Sequence, residues 1–297
     1  MNARVAVTGA SGFIGSALTA YLQERGDEVI RLVRHAPAHP GERRWSPDPA
    51  GVDPAVLADI DVVVHLAAAG VGDRRWTPSY KELVLRSRVE GTAAIARAIA
   101  ATGRPIRFVC GSAIGFYGER GEEILTERSE PGTGFLAEVV RAWEAAAEPA
   151  EQGGAAVVFA RHGLVMGAHG GAFARMLRLT RWGLGGPLGT GAQYWSWITL
   201  ADSVRALAHL VDRPELCGPV NIVGPDPRPQ RVVARALGQA LGRPAVLPAP
   251  ALALRVALGE FADDILTSQR VMPFALTGSG FDFEHPTLGQ AAAYLTR

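Results

Sequence analysis

The stretch TGASGFIG (8–15) decides the fold, because it directly follows the β-branched run RVAVT (4–8) and opens a segment with apolar residues at helical spacing (13–23). Its three glycines allow a tight turn, a close approach of the backbone to a pyrophosphate, and close packing of helix on strand. The helix N-terminus would offer that anion backbone N–H groups and a partial positive charge. An ordinary tight turn is the competing interpretation, but the strand before and the helix after favour a dinucleotide-binding loop. The predicted contact residues of this loop are Gly9, Ser11, Gly12, Phe13, Ile14 and Gly15.

Outward from this loop, the first half of the chain alternates strand and helix patterns. A continuous apolar run such as DVVVHL (61–66) is typical of a strand that is buried on both faces. Strands separated by helices at this spacing are typical of a parallel sheet with right-handed crossovers. We therefore predict an α/β fold with a Rossmann-type doubly wound parallel sheet. The further predicted strands are 28–33, 107–110 and 155–160, and the further predicted helices are 82–101 and 135–147.

The pattern loosens after about residue 161, where glycine-rich segments interrupt it, although 219–223 is still typical of a core strand. We predict a smaller C-terminal mixed lobe on the substrate side of the molecule. The predicted division is a dinucleotide-binding core over 1–165 with a later contribution from about 198–224, and a lobe over 166–197 and 225–297.

The end of the second predicted strand indicates which dinucleotide binds. A free ribose 2′-hydroxyl usually meets an acidic residue there, whereas a 2′-phosphate calls for arginine. No acidic residue occupies positions 31–36, and Arg34 stands at the strand end. NADP(H) is therefore predicted over NAD(H). The alternative is that Arg34 is a solvated loop residue, because 29 of the 30 basic residues in this chain are arginine.

Composition excludes several classes of function. The 297 residues are 48% hydrophobic and 20% charged, which is enough for a large core. Thirty basic and 29 acidic residues leave a formal charge of +1, so nothing drives nucleic-acid binding. Two cysteines, Cys110 and Cys217, supply neither a disulfide framework nor metal-ligand spacing, and no His, Cys, Asp and Glu cluster indicates a metal. Gly9 and Ser11 interrupt any signal-like apolar run, and no segment is long enough to span a bilayer, so we predict a soluble cytoplasmic protein.

Three motifs together, TGASGFIG (8–15), HLAAAG (65–70) and GSAIGFYG (111–118), resemble the extended short-chain dehydrogenase/reductase superfamily. Longer blocks resemble an atypical group within it, the sugar-nucleotide-epimerase-like proteins of the YfcH type with their own C-terminal domain. These blocks are 75–92, 135–147, 161–167, 185–207, 258–273 and 280–288. The resemblance implies a nicotinamide dinucleotide in the core and a lobe that closes over a substrate cleft. It also implies that Leu66 and Ala67 line the adenine and ribose side, and that Arg161 lies near the nicotinamide.

The catalytic pattern of that superfamily is broken in this chain. Its members usually carry Tyr-x-x-x-Lys on one helix face, where the lysine lowers the tyrosine pKa and holds the ribose. Here the corresponding positions are Phe135 and Val139, and the only lysine, Lys81, has no tyrosine four residues before it. Ser112 is expected to orient a substrate oxygen by similarity. Tyr117 is a candidate proton donor or, alternatively, a structural loop residue; Glu138 and Lys81 are further alternatives.

Two tryptophans are candidates for the wall of a cleft. Trp76 precedes the long helix in a loop, and Trp195 lies in the segment YWSWI (194–198). Each could pack in the core, or the two could flank a ring-shaped substrate. The sequence thus predicts an NADP(H)-dependent oxidoreductase or epimerase-like enzyme acting on a small carbonyl or nucleotide-linked molecule, and it leaves the oligomeric state open. The competing hypothesis is an NADP(H)-binding sensor or scaffold without chemistry.

Overall fold

A computed structural model describes residues 3–48 and 51–296 of the chain. Its strands are β1 (Arg4–Thr8), β2 (Glu28–Val33), β3 (Glu42–Arg44), β4 (Val62–His65), β5 (Arg107–Ala113), β6 (Ile124–Leu125), β7 (Val157–His162), β8 (Leu164–Met166), β9 (Tyr194–Trp195), β10 (Trp197–Thr199), β11 (Gly218–Ile222), β12 (Arg228–Pro229) and β13 (Arg270–Val271). Its α-helices are α1 (Phe13–Glu24), α2 (Pro78–Ala101), α3 (Phe135–Ala145), α4 (Glu148–Gln152), α5 (Gly171–Arg181), α6 (Leu200–Asp212), α7 (Gln230–Ala240), α8 (Ala251–Leu258), α9 (Phe261–Ile265), α10 (Phe274–Gly278) and α11 (Leu288–Thr296).

Seven strands form one sheet in the order β11-β7-β5-β4-β1-β2-β3, and every neighbouring pair is parallel. The predicted doubly wound parallel sheet is therefore confirmed. The strand order reverses at β1, which pairs with β2 on one side and β4 on the other. In open α/β sheets, ligands bind beyond the carboxyl ends of the strands at such a reversal. The glycine loop predicted to hold the dinucleotide starts there.

Apolar layers cover both faces of the sheet, as the continuous strand patterns require. One layer joins the sheet to α1 and α6 through side chains such as Leu18 and Leu207. The other joins it to α2 and α3 through side chains such as Ile95 and Trp143. Because both faces are covered, only the strand ends and the loops beyond them remain for ligands.

A smaller lobe of mixed helices and short strands is built around Phe173, Trp197 and Leu237. After this lobe, β13 pairs with β6 in a separate two-stranded sheet. Leu276 of α10 then joins the apolar layer that contains α1 and α6. None of the helices in the described residues is long and apolar enough to cross a membrane.

Candidate functional site

The glycine loop has the shape that the sequence predicts, and its three glycines do different things. Gly9 has φ +66°, and a Cβ there would lie 2.9 Å from the backbone carbon of Leu66. A Cβ on Gly15 would lie 2.1 Å from the carbonyl oxygen of Gly9, so α1 cannot pack against the loop unless this residue is glycine. A Cβ on Gly12 would approach only that same oxygen, at 3.1 Å. The protein itself thus requires Gly9 and Gly15, whereas the space beyond Gly12 stays open.

A cavity of about 930 Å³ opens at the N-terminus of α1. Ser11, Gly12 and Phe13 of the predicted loop line one side, and Gly167 and His169 line the other. This volume lies within the range of small-molecule and cofactor sites. The first backbone N–H groups of α1 have no partner within the helix and are therefore available to an anion. The arrangement can bind the pyrophosphate of a dinucleotide.

Arg34 lies one residue beyond β2 with its side chain exposed, and it forms no ion pair with any described residue. Arg44, the last residue of β3, is opposite Val33 in the parallel register and is likewise exposed without a carboxylate partner in the described part of the chain. Sequence reasoning missed Arg44, because the strand ERR (42–44) carries no apolar pattern. Two guanidinium groups are thus available beside the end of β2.

Thr8, whose hydroxyl is hydrogen-bonded to the buried His65, holds the loop after β4. This loop contains the predicted contacts Leu66 and Ala67. Thr8 Oγ1 accepts the N–H of Leu66 at 3.0 Å and that of Ala67 at 3.2 Å. The hydroxyl of Thr8 therefore directs its hydrogen to His65 Nδ1, 2.8 Å away. Burial lowers the pKa of His65 to about 4, so the imidazole is neutral and can accept. Leu66 and Ala67 are held half-buried beside the glycine loop.

Ser112, Tyr117 and Arg161 belong to one buried network. Ser112 Oγ donates to Glu144 Oε1 at 2.6 Å, and Arg161 binds both oxygens of the same carboxylate at 2.7 and 2.8 Å. Arg161 Nη1 also donates to Tyr117 Oη at 3.1 Å, and this phenol donates to Asn221 Oδ1 at 2.8 Å. The network ties β5, β7 and β11 to α3.

This network contains three of the site residues predicted from the sequence, Ser112, Tyr117 and Arg161. Tyr117 is fully buried, burial raises its pKa, and its hydroxyl both donates and accepts within the protein. Ser112 and Arg161 are 3% exposed, and Glu144 engages both side chains. These hydrogen bonds give all three side chains a structural role, and their catalytic or cofactor-binding roles stay predictions.

The two candidate tryptophans lie in different surroundings. Trp76 is half-buried between Phe135 and Phe261, with ring centroids 5.0 and 5.4 Å apart. Trp195 is 6% exposed in the core of the lobe, where it packs on Phe173 and donates through Nε1 to a backbone carbonyl oxygen. The two rings do not stack on each other, although both tryptophans contact α9, Trp76 at Phe261 and Trp195 at Ile265. Trp195 packs in the core of the lobe, and its place in a cleft wall stays a prediction.

The smaller cavity, of about 300 Å³, lies beside this aromatic cluster and is lined by Lys81, Phe135 and Glu260 among others. Lys81 Nζ pairs with Glu260 Oε1 at 2.7 Å and lies 4.5 Å from the centre of the Phe135 ring. Val139, one helical turn after Phe135, is buried against Tyr80 and Val84. Val139, which stands where the superfamily usually has its lysine, thus makes only apolar contacts. The ammonium group of Lys81 lies over Phe135, which stands where the superfamily usually has its tyrosine.

No group of His, Cys, Asp and Glu among residues 3–48 and 51–296 could hold a metal ion. Both cysteines are free, Cys110 in the core and Cys217 at the surface.

Comparison with known proteins identifies two matching regions in the chain. A model of the NAD dependent epimerase/dehydratase family matches residues 5–223, and a model described as a domain of unknown function, DUF1731, matches residues 249–295. Epimerase family protein Mb2239 of Mycobacterium bovis is 44% identical over 296 residues, which is 99% of this chain and 98% of that protein.

Two solved structures share the fold along nearly the whole chain. The human epimerase family protein SDR39U1, crystallised with NADPH, superposes with a TM-score of 0.89 at 32% identity and covers 99% of both chains. The nucleoside-diphosphate sugar epimerase of Corynebacterium glutamicum gives a TM-score of 0.83 at 35% identity, covering all of this chain and 58% of that one.

Proposed function

The chain belongs to the NAD dependent epimerase/dehydratase family, and on that basis we propose that it is an NADP(H)-dependent, epimerase-like oxidoreductase. Its substrate is a small molecule with a carbonyl group or an oxidisable hydroxyl, either free or linked to a nucleotide. The observation that carries this proposal is the open cavity of about 930 Å³ at the start of α1, where Gly12 leaves room for a pyrophosphate.

Three parts of the chain fit NADP(H) residue by residue. The N–H groups at the start of α1 would bind the pyrophosphate, and Leu66 and Ala67 would contact the adenine side. Arg34 would take the 2′-phosphate, for which a guanidinium is the preferred partner. The bound nicotinamide would supply the hydride chemistry. The NADPH in the structure of the human relative supports the choice of cofactor.

The group that exchanges a proton with the substrate must differ from the tyrosine of the wider superfamily. Lys81 is the strongest of the alternatives, because its ammonium lies over Phe135 and lines a cavity. It would donate a proton to the substrate oxygen as hydride reaches the carbon, and Glu260 would hold it in place. Glu138 is exposed on α3 and lines neither of the two cavities.

A second function, NADP(H) binding without turnover, is favoured by one specific observation. Phe135 and Val139 carry no proton to exchange, and the hydroxyls of Ser112 and Tyr117 are engaged in the buried network. A protein of this kind would sense or store the cofactor.

Calorimetric titration with NADPH and NADH, followed by NADPH oxidation with a panel of carbonyl compounds and sugar nucleotides, tests both functions. The enzyme proposal expects NADPH to bind more tightly than NADH and at least one compound to be reduced. Lys81→Gln should then lower turnover on the order of 10²-fold with NADPH affinity unchanged. Tight NADPH binding without any turnover would favour the sensor, and no binding of either dinucleotide would refute both functions.

A further inference from the structure

Three arginines are buried in the described part of the chain, and two of them donate hydrogen bonds from all three side-chain nitrogens. Arg161 is paired with Glu144 through two hydrogen bonds. Arg107 uses Nε, Nη1 and Nη2 to reach four backbone carbonyl oxygens. The third, Arg88 of α2, is 8% exposed. A buried cation without an anion is costly, so the partners of Arg88 call for an explanation.

Arg88 donates through Nη1 alone, to the carbonyl oxygens of Ala69 and Val84, each at 3.0 Å. Nε and Nη2 donate to no atom of residues 3–48 and 51–296, and no carboxylate in those ranges pairs with the guanidinium. The guanidinium carbon lies 5.0 Å from the centre of the Trp143 ring. Burial lowers the pKa of Arg88 to about 10, which shows how poorly its charge is compensated.

The two free donors of Arg88 are not sealed inside the protein. Among the described residues, the fully buried side-chain donors and acceptors without a partner include neither Nε nor Nη2 of Arg88. Both nitrogens therefore keep some solvent-accessible surface. Two adjacent N–H groups at the edge of a planar guanidinium match two adjacent oxygen acceptors.

The position of Arg88 in the fold indicates which ligand would supply these two oxygen acceptors. Val84 packs against Val139, and Arg88 and Trp143 each follow one helical turn later on their helices. Because helical side chains lean towards the N-terminus of their helix, the guanidinium lies near the level of Val139. The superfamily pattern has its lysine at that position, and here the position is apolar.

The guanidinium of Arg88 is hydrogen-bonded to Ala69 in the loop that follows β4. It therefore lies on the side of the strand-order reversal that contains β4 and β5. Arg34 lies on the opposite side, at the end of β2. A dinucleotide that crosses the reversal with its 2′-phosphate at Arg34 would extend its nicotinamide half towards Arg88.

We propose that Arg88 binds the two hydroxyls of the nicotinamide-side ribose through Nε and Nη2, and so provides from α2 the cation that the missing lysine would have provided from α3. This inference rests on the proposed function, because it requires a bound dinucleotide. It assigns Arg88 to cofactor binding rather than to proton transfer.

Calorimetry with two ligands tests the assignment. NADPH contains the nicotinamide-side ribose, whereas adenosine 2′,5′-bisphosphate contains only the adenine side and the 2′-phosphate. Arg88→Met should weaken NADPH about 10- to 100-fold and leave adenosine 2′,5′-bisphosphate within about twofold. Arg88→Lys should fall between Arg88→Met and the parent. Arg97→Met, on the exposed side of α2, is the matched control and should change neither affinity.

Thermal melting separates a binding role from a structural one. Arg88→Met should melt at or above the temperature of the parent, because it removes an uncompensated buried cation. Unchanged NADPH affinity in Arg88→Met, or equal losses for both ligands, would overturn the assignment. If Arg88→Met does not fold, Arg88→Gln decides with the same two ligands. A parent protein that binds neither ligand would instead refute the proposed cofactor, whereas normal binding by the variants would refute only the role of Arg88.

Discussion

At the scale of single residues, the glycine loop separates binding from folding. Gly12 lines the large cavity and meets the protein only at the Gly9 carbonyl oxygen. Gly12→Val should therefore remove NADPH binding by filling the space of the pyrophosphate, with little loss of stability. Gly15→Ala is the matched control: its Cβ would overlap the Gly9 carbonyl oxygen, so it should lower the free energy of unfolding by about 1–3 kcal/mol. Calorimetry and thermal melting of both variants would refute this division of roles if Gly12→Val bound NADPH normally.

Cofactor choice should also depend on single side chains. Arg34→Ala should weaken NADPH by about 1.5–3 kcal/mol and leave NADH nearly unchanged, because only NADPH carries the 2′-phosphate. Arg44→Ala should show the same selectivity to a smaller degree, since Arg44 lies beside Val33 across the strand pair. Arg31→Ala, also exposed on β2, is the control and should alter neither affinity. Equal losses for NADPH and NADH in the Arg34 variant would exclude a 2′-phosphate role.

Burial shifts the pKa values of His65, His162 and Asp264, and these three shifts should give the stability a characteristic pH dependence. Burial lowers the pKa of His65 to about 4, so the folded state resists protonation while the unfolded chain takes up a proton near pH 6.5. The contribution of His65 to the free energy of unfolding should be complete above pH 6.5. It should decrease by on the order of 3 kcal/mol as the pH falls towards 4. Burial raises the pKa of Asp264 to about 6, so this carboxyl acts in the opposite direction and stability rises as the pH falls from 6 towards 4.

Urea unfolding between pH 7.5 and 4.5 measures both effects. His65→Gln should flatten the fall in the free energy of unfolding, and Asp264→Asn should steepen it. Equal slopes for the parent and the His65→Gln variant would show that folding does not lower the pKa of His65.

At the scale of elements, the buried network should behave as structure and not as catalytic machinery. Tyr117→Phe removes a hydroxyl that joins Arg161 of β7 to Asn221 of β11. We expect the free energy of unfolding to fall by about 1–3 kcal/mol, because buried polar partners are left unsatisfied. NADPH affinity and any turnover should change less than twofold, a bound that reflects ~0.4 kcal/mol. A large loss of turnover with unchanged stability would instead support Tyr117 as the proton donor.

Some elements could be predicted from the sequence because local chemistry determines them. The first strand follows from a β-branched run, the loop from its glycines and α1 from helical spacing, and α3 begins at Phe135 as predicted. Helix α2 starts four residues before the predicted position 82, because the Thr77 side chain accepts the N–H of Tyr80 and Pro78 is tolerated in a first turn.

The rest depends on contacts between distant parts of the chain. All three residues of strand β3 are charged, so no apolar pattern predicts the strand and only its pairing with β2 identifies it. The burial of Trp195 follows from packing against α5, which no spacing encodes. Arg88 lies in a helix that the sequence predicts, but its lack of a carboxylate partner among the described residues is visible only in three dimensions.

At the scale of the whole molecule, the C-terminal segment is part of the core and not an appendage. Asn221 of the outermost sheet strand donates to the carbonyl oxygen of Met272, and Asp202 accepts the N–H groups of Glu284 and His285. Lys81 of α2 pairs with Glu260. The region that matches the domain of unknown function therefore contacts β11, α6 and α2 of the region that matches the epimerase/dehydratase family.

A chain that ends at residue 248 should consequently fail to fold cooperatively. The segment from 249 onward buries five large apolar side chains, which are Val271, Leu276, Phe281, Leu288 and Leu295. Each contributes about 1.5–3 kcal/mol on burial, so together they supply on the order of 10 kcal/mol, as much as the whole net stability of a typical domain. We expect the truncated chain to melt without a sharp transition, to bind a hydrophobic dye, and to lose NADPH binding. Lys81→Gln is the control for folding, because it removes the Glu260 ion pair and leaves the five buried apolar side chains in place; it should melt sharply. A truncated chain with one cooperative transition and full NADPH affinity would show that the dinucleotide-binding region is an independent domain.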